Sequence, residues 1–144
     1  MKRTTLFVTL LLAVTASLAA MGISASVDTP RTLMSRADYR DALHGIEATT
    51  RAALGQCRAV DTAGRELCKA KVRADERVRK AELQSQYYGT VAAAKEVEVA
   101  RVKAKYDVAR AACAARSSEQ RVDCLRETRE ARSREMHAKV ASAT

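Results

Sequence analysis

The amino-acid sequence predicts an all-α protein built from two tandem helical hairpins, each stapled by one disulfide. Two observations lead to this fold class. Four cysteines fall in two pairs of equal spacing, Cys57 with Cys68 and Cys113 with Cys124, and the second pair follows the first by 56 residues. The surrounding residues are mostly Ala, Arg, Lys, Glu and Leu, which favour helices, whereas the chain contains only five Gly and one Pro.

The composition excludes several classes of protein. Of the 144 residues, 47% are hydrophobic and 30% are charged, but only 3% are aromatic. Such a chain is not collagen-like, not a Pro/Gly-rich disordered segment and not a multi-pass membrane protein. Most of its apolar residues are alanines, which bury little area each, so we do not expect the large core of an ordinary globular enzyme.

Residues 1–25 have the three regions of a secretory signal peptide. Lys2 and Arg3 form a basic start, an apolar run extends over residues 6–20, and small residues follow it. We expect cleavage within residues 19–26, which would release the rest of the chain across the inner membrane into the periplasm. The alternative is an uncleaved N-terminal anchor, because the apolar run extended to Ala25 nearly reaches the roughly twenty residues that span a bilayer.

The rest of the chain divides into two repeats, residues 26–88 and residues 89–144. An apolar stripe with helical spacing occurs in the first repeat and recurs 56 residues later, which indicates one helical face present twice. The first stripe consists of Leu43, Ile46, Thr50, Ala53 and Cys57, and the second of Val99, Val102, Tyr106, Ala109 and Cys113.

Three breaks in the helical pattern divide the repeats into four helices. The breaks fall at residues 60–64, 87–90 and 116–118. Asp61 or Thr62 is a candidate N-cap at the first break, and Ser117 with Gln120 fits a capping box at the third. The helices are therefore predicted at residues 32–59, 63–87, 90–115 and 118–141. The fourth has the poorest apolar stripe, so we expect it to be largely solvated or to need a partner.

Cysteine pairing decides how these helices are connected. Four cysteines in an oxidising compartment predict two structural disulfides, for which three connectivities are open. Gly64 and Ser117-Ser118 stand midway between the cysteines of each pair, where a turn is needed, and this favours Cys57 with Cys68 and Cys113 with Cys124.

Other uses of the cysteines are less favoured. Cross-pairing between the repeats would require unbroken helices, on which eleven residues separate two sulfurs by about 16 Å. Zinc binding is disfavoured because His44 and His137 are not at ligand spacing from any cysteine. A redox-active pair would more typically have the spacing Cys-x-x-Cys.

Two groups of side chains are candidate contact sites. Tyr87 and Tyr88 mark the hinge between the repeats, whereas Tyr39 and Tyr106 fall on or beside the apolar stripes and are expected in the core. The fourth predicted helix carries a basic face that could hold an anionic polymer, formed by Arg126, Arg129, Arg132 and Arg134. The alternative for this face is a solvated helix whose acidic residues serve as counter-charges.

Candidate catalytic residues do not form a pattern. His44 and His137 stand alone among helix-forming residues, and acids such as Glu66 and Asp123 alternate with bases at the helical spacing typical of surface ion pairs. The sequence contains no Ser-His-Asp, metal-binding or phosphate-loop signature. We therefore expect no enzymatic activity, no cofactor and no bound metal.

The doubled Cys-x10-Cys motif in Ala/Lys/Arg/Glu-rich helices resembles a group of small exported bacterial proteins of unknown function, some of them labelled TolA-like cell-envelope proteins. The likeness covers roughly residues 36–140. Those relatives commonly hold a Gly-Asn turn followed by Ala-Lys between the cysteines, whereas here Gly64-Arg65 and Gln120-Arg121 occupy that region without the Asn. The resemblance implies a cell-envelope protein and assigns no catalytic residue.

Charge indicates the kind of partner. Loss of Lys2 and Arg3 with the leader would leave 24 basic and 17 acidic residues, a net charge of about +7. In the envelope the anionic candidates are lipid head groups, cell-wall polymers and acidic or unfolded client proteins, while nucleic acid would be out of reach. We expect a non-catalytic periplasmic protein of structural or interaction type, without stable membrane insertion after cleavage. The alternative is an ATP-independent periplasmic holdase chaperone.

Overall fold

The computed structural model describes residues 33–141, which form four helices. The helices are α1 (Arg36–Gln56), α2 (Thr62–Tyr88), α3 (Val91–Ala114) and α4 (Ser118–Ala141), and a short 3-10 turn at Cys57–Ala59 follows α1. The described residues contain no strand, so the all-α prediction is confirmed. The predicted signal peptide lies outside the described residues.

Short polar side chains set where α1, α2 and α3 begin. The Ser35 hydroxyl accepts a hydrogen bond from the Asp38 N–H at 3.1 Å, and it donates one to the Asp38 carboxylate at 2.7 Å. Asp61 accepts from the Gly64 N–H at 2.6 Å, and the Thr90 hydroxyl accepts from the Ala93 N–H at 3.1 Å. Each bond satisfies a backbone donor that the first helical turn leaves free, so helix starts are encoded locally.

Gly64 lies at the start of α2, whereas Gly89 ends it. Gly89 ends α2 in the left-handed conformation, with φ of 62°, which glycine adopts without steric cost. Gly64 was expected within a break, but it lies inside the first turn of α2, because Asp61 caps the helix there. The chain therefore changes direction at Val60 and Asp61, slightly earlier than the position of the glycine suggested.

Successive helices run antiparallel, and each packs on its neighbours in sequence. The most extensive interface is that of α2 with α3. Within residues 33–141, α1 contacts only α2, and α4 contacts only α3. The α1–α2 and α3–α4 turns lie at one end of the array, here called the disulfide end, and the turn at Gly89 lies at the other, the Gly89 end. The first and second hairpins are α1–α2 and α3–α4.

Both disulfides close a turn within one repeat. Cys57 is bonded to Cys68 with Cα atoms 5.6 Å apart, and Cys113 is bonded to Cys124 with Cα atoms 5.7 Å apart. The predicted pairing within each repeat is confirmed, and the cross-paired alternative is wrong. The described residues include no free cysteine. Cys57 and Cys113 are fully buried, so each staple is also part of the core.

The core is small and follows the two predicted stripes. Every member of both stripes is buried or half-buried, and Val102 is the most enclosed of the aliphatic residues at 1% exposure. Outside the stripes, Leu83 and Ala74 of α2 and Val97, Ala100 and Ala104 of α3 are also buried. Among the described side chains of α4, only Cys124 is buried. None of the described helices is long and apolar enough to cross a membrane.

Candidate functional site: a basic groove

A concave surface of the described part of the chain lies between α2 and α3. Its floor is made of small side chains, which allow the two helices to pack closely. The floor residues are Ala70, Ala74, Ala81, Val99, Ala100, Ala111 and Ala114. The surface consists of two cavities of about 590 and 620 Å³ that share Arg73 and Arg77, so we treat them as one groove.

Basic side chains outnumber acidic ones along this groove, seven to four. The basic residues are Lys69, Arg73, Arg77, Lys80, Lys103, Arg110 and Arg121, and the acidic ones are Glu66, Glu76, Glu96 and Asp107. Most of the bases come from a stripe on α2 at helical spacing, and the others come from α3 and the beginning of α4. The groove therefore presents a positive surface over an apolar floor.

Three of the basic residues are neutralised by carboxylates within the groove. Lys69 pairs with Glu66 at 2.7 Å and Lys80 with Glu76 at 2.8 Å, both along α2. Arg77 pairs with Asp107, and this ion pair links α2 to α3 across the groove.

Three other cations keep no ion-pair partner among residues 33–141: Arg73 on α2, and Lys103 and Arg110 on α3. Arg121 also has no ion-pair partner among these residues, and it donates a hydrogen bond to the Arg116 carbonyl oxygen at 3.1 Å. Among the four acidic residues of the groove, Glu96 forms no ion pair within the described part of the chain. The excess positive charge is thus carried by side chains that are available to an external anion.

The pKa shifts of two groove residues, Glu66 and Lys80, favour their charged forms. The hydrogen bond from Lys69 lowers the pKa of Glu66, with the Lys69 charge acting in the same direction. The hydrogen bond to Glu76 raises the pKa of Lys80, and Glu47 of α1 adds to the effect. Glu66 and Lys80 therefore stay ionised around neutral pH.

The predicted tyrosine contact site lies at the Gly89 end, away from the groove. Tyr87 is half-buried and packs on Tyr39, with ring centroids 4.6 Å apart, while Tyr88 is 57% exposed. Leu33 and Val91 flank the same turn and are 62% and 74% exposed. Leu33, Tyr88 and Val91 are called the tip patch below.

The predicted arginine face of α4 is also separate from the groove. Arg126 pairs with Asp123 at 2.8 Å, and the Arg132 guanidinium lies 4.8 Å from the centre of the Tyr106 ring. Arg129 is exposed and has no ion-pair partner within residues 33–141. None of the five predicted contact residues lines the groove. Part of the charge on the arginine face is therefore already used within the protein.

The described histidines do not form a metal site. His44 is exposed, with Nδ1 3.9 Å from a Glu47 carboxylate oxygen, and His137 is also exposed. Among residues 33–141, no three His, Cys, Asp or Glu side chains are arranged so that they could hold a metal ion.

No protein-family model, curated protein or solved structure matches this chain. The observations that can support a function are therefore internal to the molecule: the groove, the two disulfides and the tip patch.

Proposed function

We propose that the protein is a non-catalytic exported protein of the cell envelope that works by binding an anionic partner in the α2–α3 groove. The observation that carries the proposal is the charge of this groove, with seven basic and four acidic lining residues over a floor of alanines. A surface of this kind attracts anions at long range and gives them an apolar surface to cover on contact.

Export is supported by the chemistry of the cysteines and by the N-terminal sequence. Disulfides persist in oxidising compartments and are rare in the cytosol. Both disulfides here close short turns in a protein with a small core, so they contribute to the fold itself. Residues 1–25 have the pattern of a signal peptide, which supports export to the periplasm of a bacterium. The resemblance to small exported cell-envelope proteins agrees with this assignment.

Localisation and binding can be tested together. The full-length chain is expressed with its own N-terminal sequence in a bacterial host, the cells are fractionated, and thiols are labelled before and after reduction. We expect the protein in the periplasmic fraction with its four cysteines unreactive until reduced. The purified protein should then bind isolated envelope fractions at low ionic strength and be released by about 1 M salt. Cytoplasmic protein with free thiols, or binding that salt does not weaken, would contradict the proposal.

A second candidate function is an ATP-independent holdase, which the tip patch favours. Three large apolar side chains around the Gly89 turn are more than half exposed, as expected of a surface that binds unfolded chains. The protein should then slow the aggregation of a denatured client at an equimolar ratio. Tyr88→Ser with Val91→Ser should remove the effect. Val122→Ser, which changes an equally exposed residue of α4, should not. If the unmodified protein fails to slow aggregation, the holdase function is wrong.

A further inference from the structure

We infer that the α2–α3 groove is the docking site of an acidic amphipathic helix supplied by a partner protein. This inference rests on the proposed function and specifies its ligand. Three features carry it: the length of the groove, its alanine floor and the distribution of its unpaired cations.

The groove has the dimensions of a helix site. The side of the groove formed by α2, here called its α2 bank, extends from Glu66 to Gln84, which corresponds to about 27 Å along the helix axis. The side formed by α3 is called the α3 bank. An added helix of about 18 residues would match that length. Because the floor consists largely of alanines, a third helix could approach the pair closely and place apolar side chains at i, i+3 or i+4, and i+7 between the methyl groups.

The apolar floor also selects between anionic partners. A flexible polyanion such as polyphosphate could pair with the basic side chains, but it would leave the alanines against solvent. A helix with an apolar stripe covers them, and the burial adds to the electrostatic attraction. The groove therefore fits an amphipathic partner better than a purely hydrophilic one.

The unpaired cations lie on both banks. Arg73 projects from α2, while Lys103 and Arg110 belong to α3. The partner helix accordingly carries acidic residues on both sides of its apolar stripe. The carboxylate of Glu96 stands on the α3 bank and would oppose an acid placed beside it.

The Arg77–Asp107 ion pair acts as an internal competitor of the partner. It crosses the groove, so a helix lying along the floor brings its own carboxylate towards Arg77 in place of Asp107. Asp107→Asn should therefore strengthen binding, because it frees Arg77 and adds one unit of positive charge. The opposite effect is expected of Lys103→Glu, which disturbs no ion pair within residues 33–141.

The test uses a fluorescent 18-residue synthetic peptide with Leu at i, i+3, i+4 and i+7 and Glu at the flanking positions. Its binding to the oxidised protein is measured by anisotropy at low salt. We expect Arg73→Glu with Lys103→Glu to raise Kd at least tenfold and Asp107→Asn to lower it about threefold. A peptide of the same composition, scrambled so that the Leu residues share no face, should bind at least tenfold more weakly than the amphipathic one.

Matched variants show whether the groove or only the net charge is responsible. Arg129→Glu is matched in charge to the single variant Lys103→Glu; it alters an exposed α4 arginine that has no ion pair within residues 33–141, and its effect on Kd should be less than twofold. Asp123→Asn adds the same charge as Asp107→Asn but outside the groove, and should not tighten binding. Circular dichroism checks that each variant keeps its helices. The inference is overturned if Arg129→Glu weakens binding as much as a groove substitution, or if the scrambled peptide binds equally well.

Polyphosphate and anionic vesicles are tested against the same variants. If they depend on Arg73 and Lys103 while the peptide does not bind, the helical partner is wrong but the anion-binding function stands. If neither the peptide nor these anions bind in a salt-sensitive way, the proposed function fails as well.

Discussion

The two hairpins have their disulfides at equivalent positions but differ along the rest of the seam, which is the contact surface between the two helices of each hairpin. In the first hairpin Tyr39 packs on Tyr87, and Ile46 and Leu83 are buried, with the Lys80–Glu47 ion pair at 3.4 Å beside them. In the second hairpin the buried Val102 matches Ile46, but the part of the seam farthest from the disulfide carries charges. Leu83 corresponds to Lys139, which pairs at 2.6 Å with Glu98, the counterpart of Ala42.

A second pair of equivalent positions shows the same change. Arg79 donates a hydrogen bond to the Thr49 hydroxyl at 3.1 Å in the first hairpin. The corresponding residues of the second hairpin, Glu135 and Lys105, form an ion pair. The backbone arrangement is thus retained while the side-chain chemistry of the seam is replaced.

This difference determines how much each hairpin depends on its disulfide. Burying a large aliphatic side chain contributes about 1.5–3 kcal/mol, whereas an exposed ion pair contributes about 0–1 kcal/mol. The first hairpin can hold α1 on α2 through burial. The second has little burial on the α4 side and depends more strongly on the Cys113–Cys124 bond.

The largest predicted effect is therefore the unequal response of the hairpins to loss of a disulfide. Each bond closes a loop between cysteines 11 residues apart, worth up to about 3 kcal/mol in the chain-entropy model. Cys113→Ser with Cys124→Ser should detach α4, so that hydrogen exchange protection is lost over residues 118–141. Cys57→Ser with Cys68→Ser should lower global stability by a similar amount while α1 stays protected.

These serine pairs are each other's control, since they remove the same bond from equivalent turns. Urea unfolding gives the global free energy, and hydrogen exchange with mass spectrometry gives the local protection. Equal loss of protection in α1 and α4 would show that the difference between the seams does not matter for the fold.

A smaller effect should separate the two seams directly. Leu83→Ala removes a side chain that is 5% exposed, and we expect it to lower the free energy of unfolding by about 2–3 kcal/mol. Lys139→Ala changes the equivalent position, where the side chain is 43% exposed, and should lower it by less than about 1 kcal/mol. Both variants are compared by urea denaturation. Similar losses would mean that the charged seam is as important as the apolar one.

Much of this fold is predictable because its determinants are local. Asp61 and Thr90 cap helices through bonds to residues three positions away, and Gly89 provides the left-handed residue that ends α2. The turns then bring each cysteine to its partner in the same repeat. The apolar stripes are likewise a property of single helices, and both face the core as predicted.

The groove could not be predicted in the same way, because it depends on the register of α2 against α3. The stripe Lys69, Arg73, Arg77 and Lys80 is visible in the sequence, and its spacing is the signal that could have been noticed. Tertiary packing alone shows that Asp107 neutralises Arg77. It also shows that Lys103 and Arg110 lie on the α3 side of the groove. Packing also places Tyr87 against Tyr39, so that of the two tyrosines in the candidate contact site Tyr88 is the more exposed.

Glycines in α1 give a further difference between the hairpins. Gly45 and Gly55 correspond to Arg101 and Ala111 of α3, and a Cβ atom at either glycine would meet nothing within 4 Å. Gly55→Ala should therefore stabilise the protein by about 1 kcal/mol, or raise the Tm by about 5 °C.

Gly89→Ala is the contrasting variant. It should destabilise by a similar amount, because φ is 62° and the added Cβ would lie 2.8 Å from Leu33. A melting curve for Gly55→Ala that is unchanged or lower would contradict the assignment of Gly55 to a regular helix.

The smallest predicted effect is a response of the second seam to acid and salt. The hydrogen bond from Lys139 lowers the pKa of Glu98 below its usual value of 4.5, and Arg101 acts in the same direction. Because the folded pKa lies below the unfolded one, the stabilisation is fully present above about pH 4.5 and is lost as the pH falls through the lower, folded value. At neutral pH, raising the salt to about 1 M shortens the Debye length to about 3 Å and weakens the same contacts. Protection of residues 135–141 should therefore fall under either condition, relative to protection of α1. Glu98→Gln should abolish most of this difference. If α1 and the end of α4 respond alike, the second seam is held by burial after all, and the contrast between the hairpins lies only in their sequences.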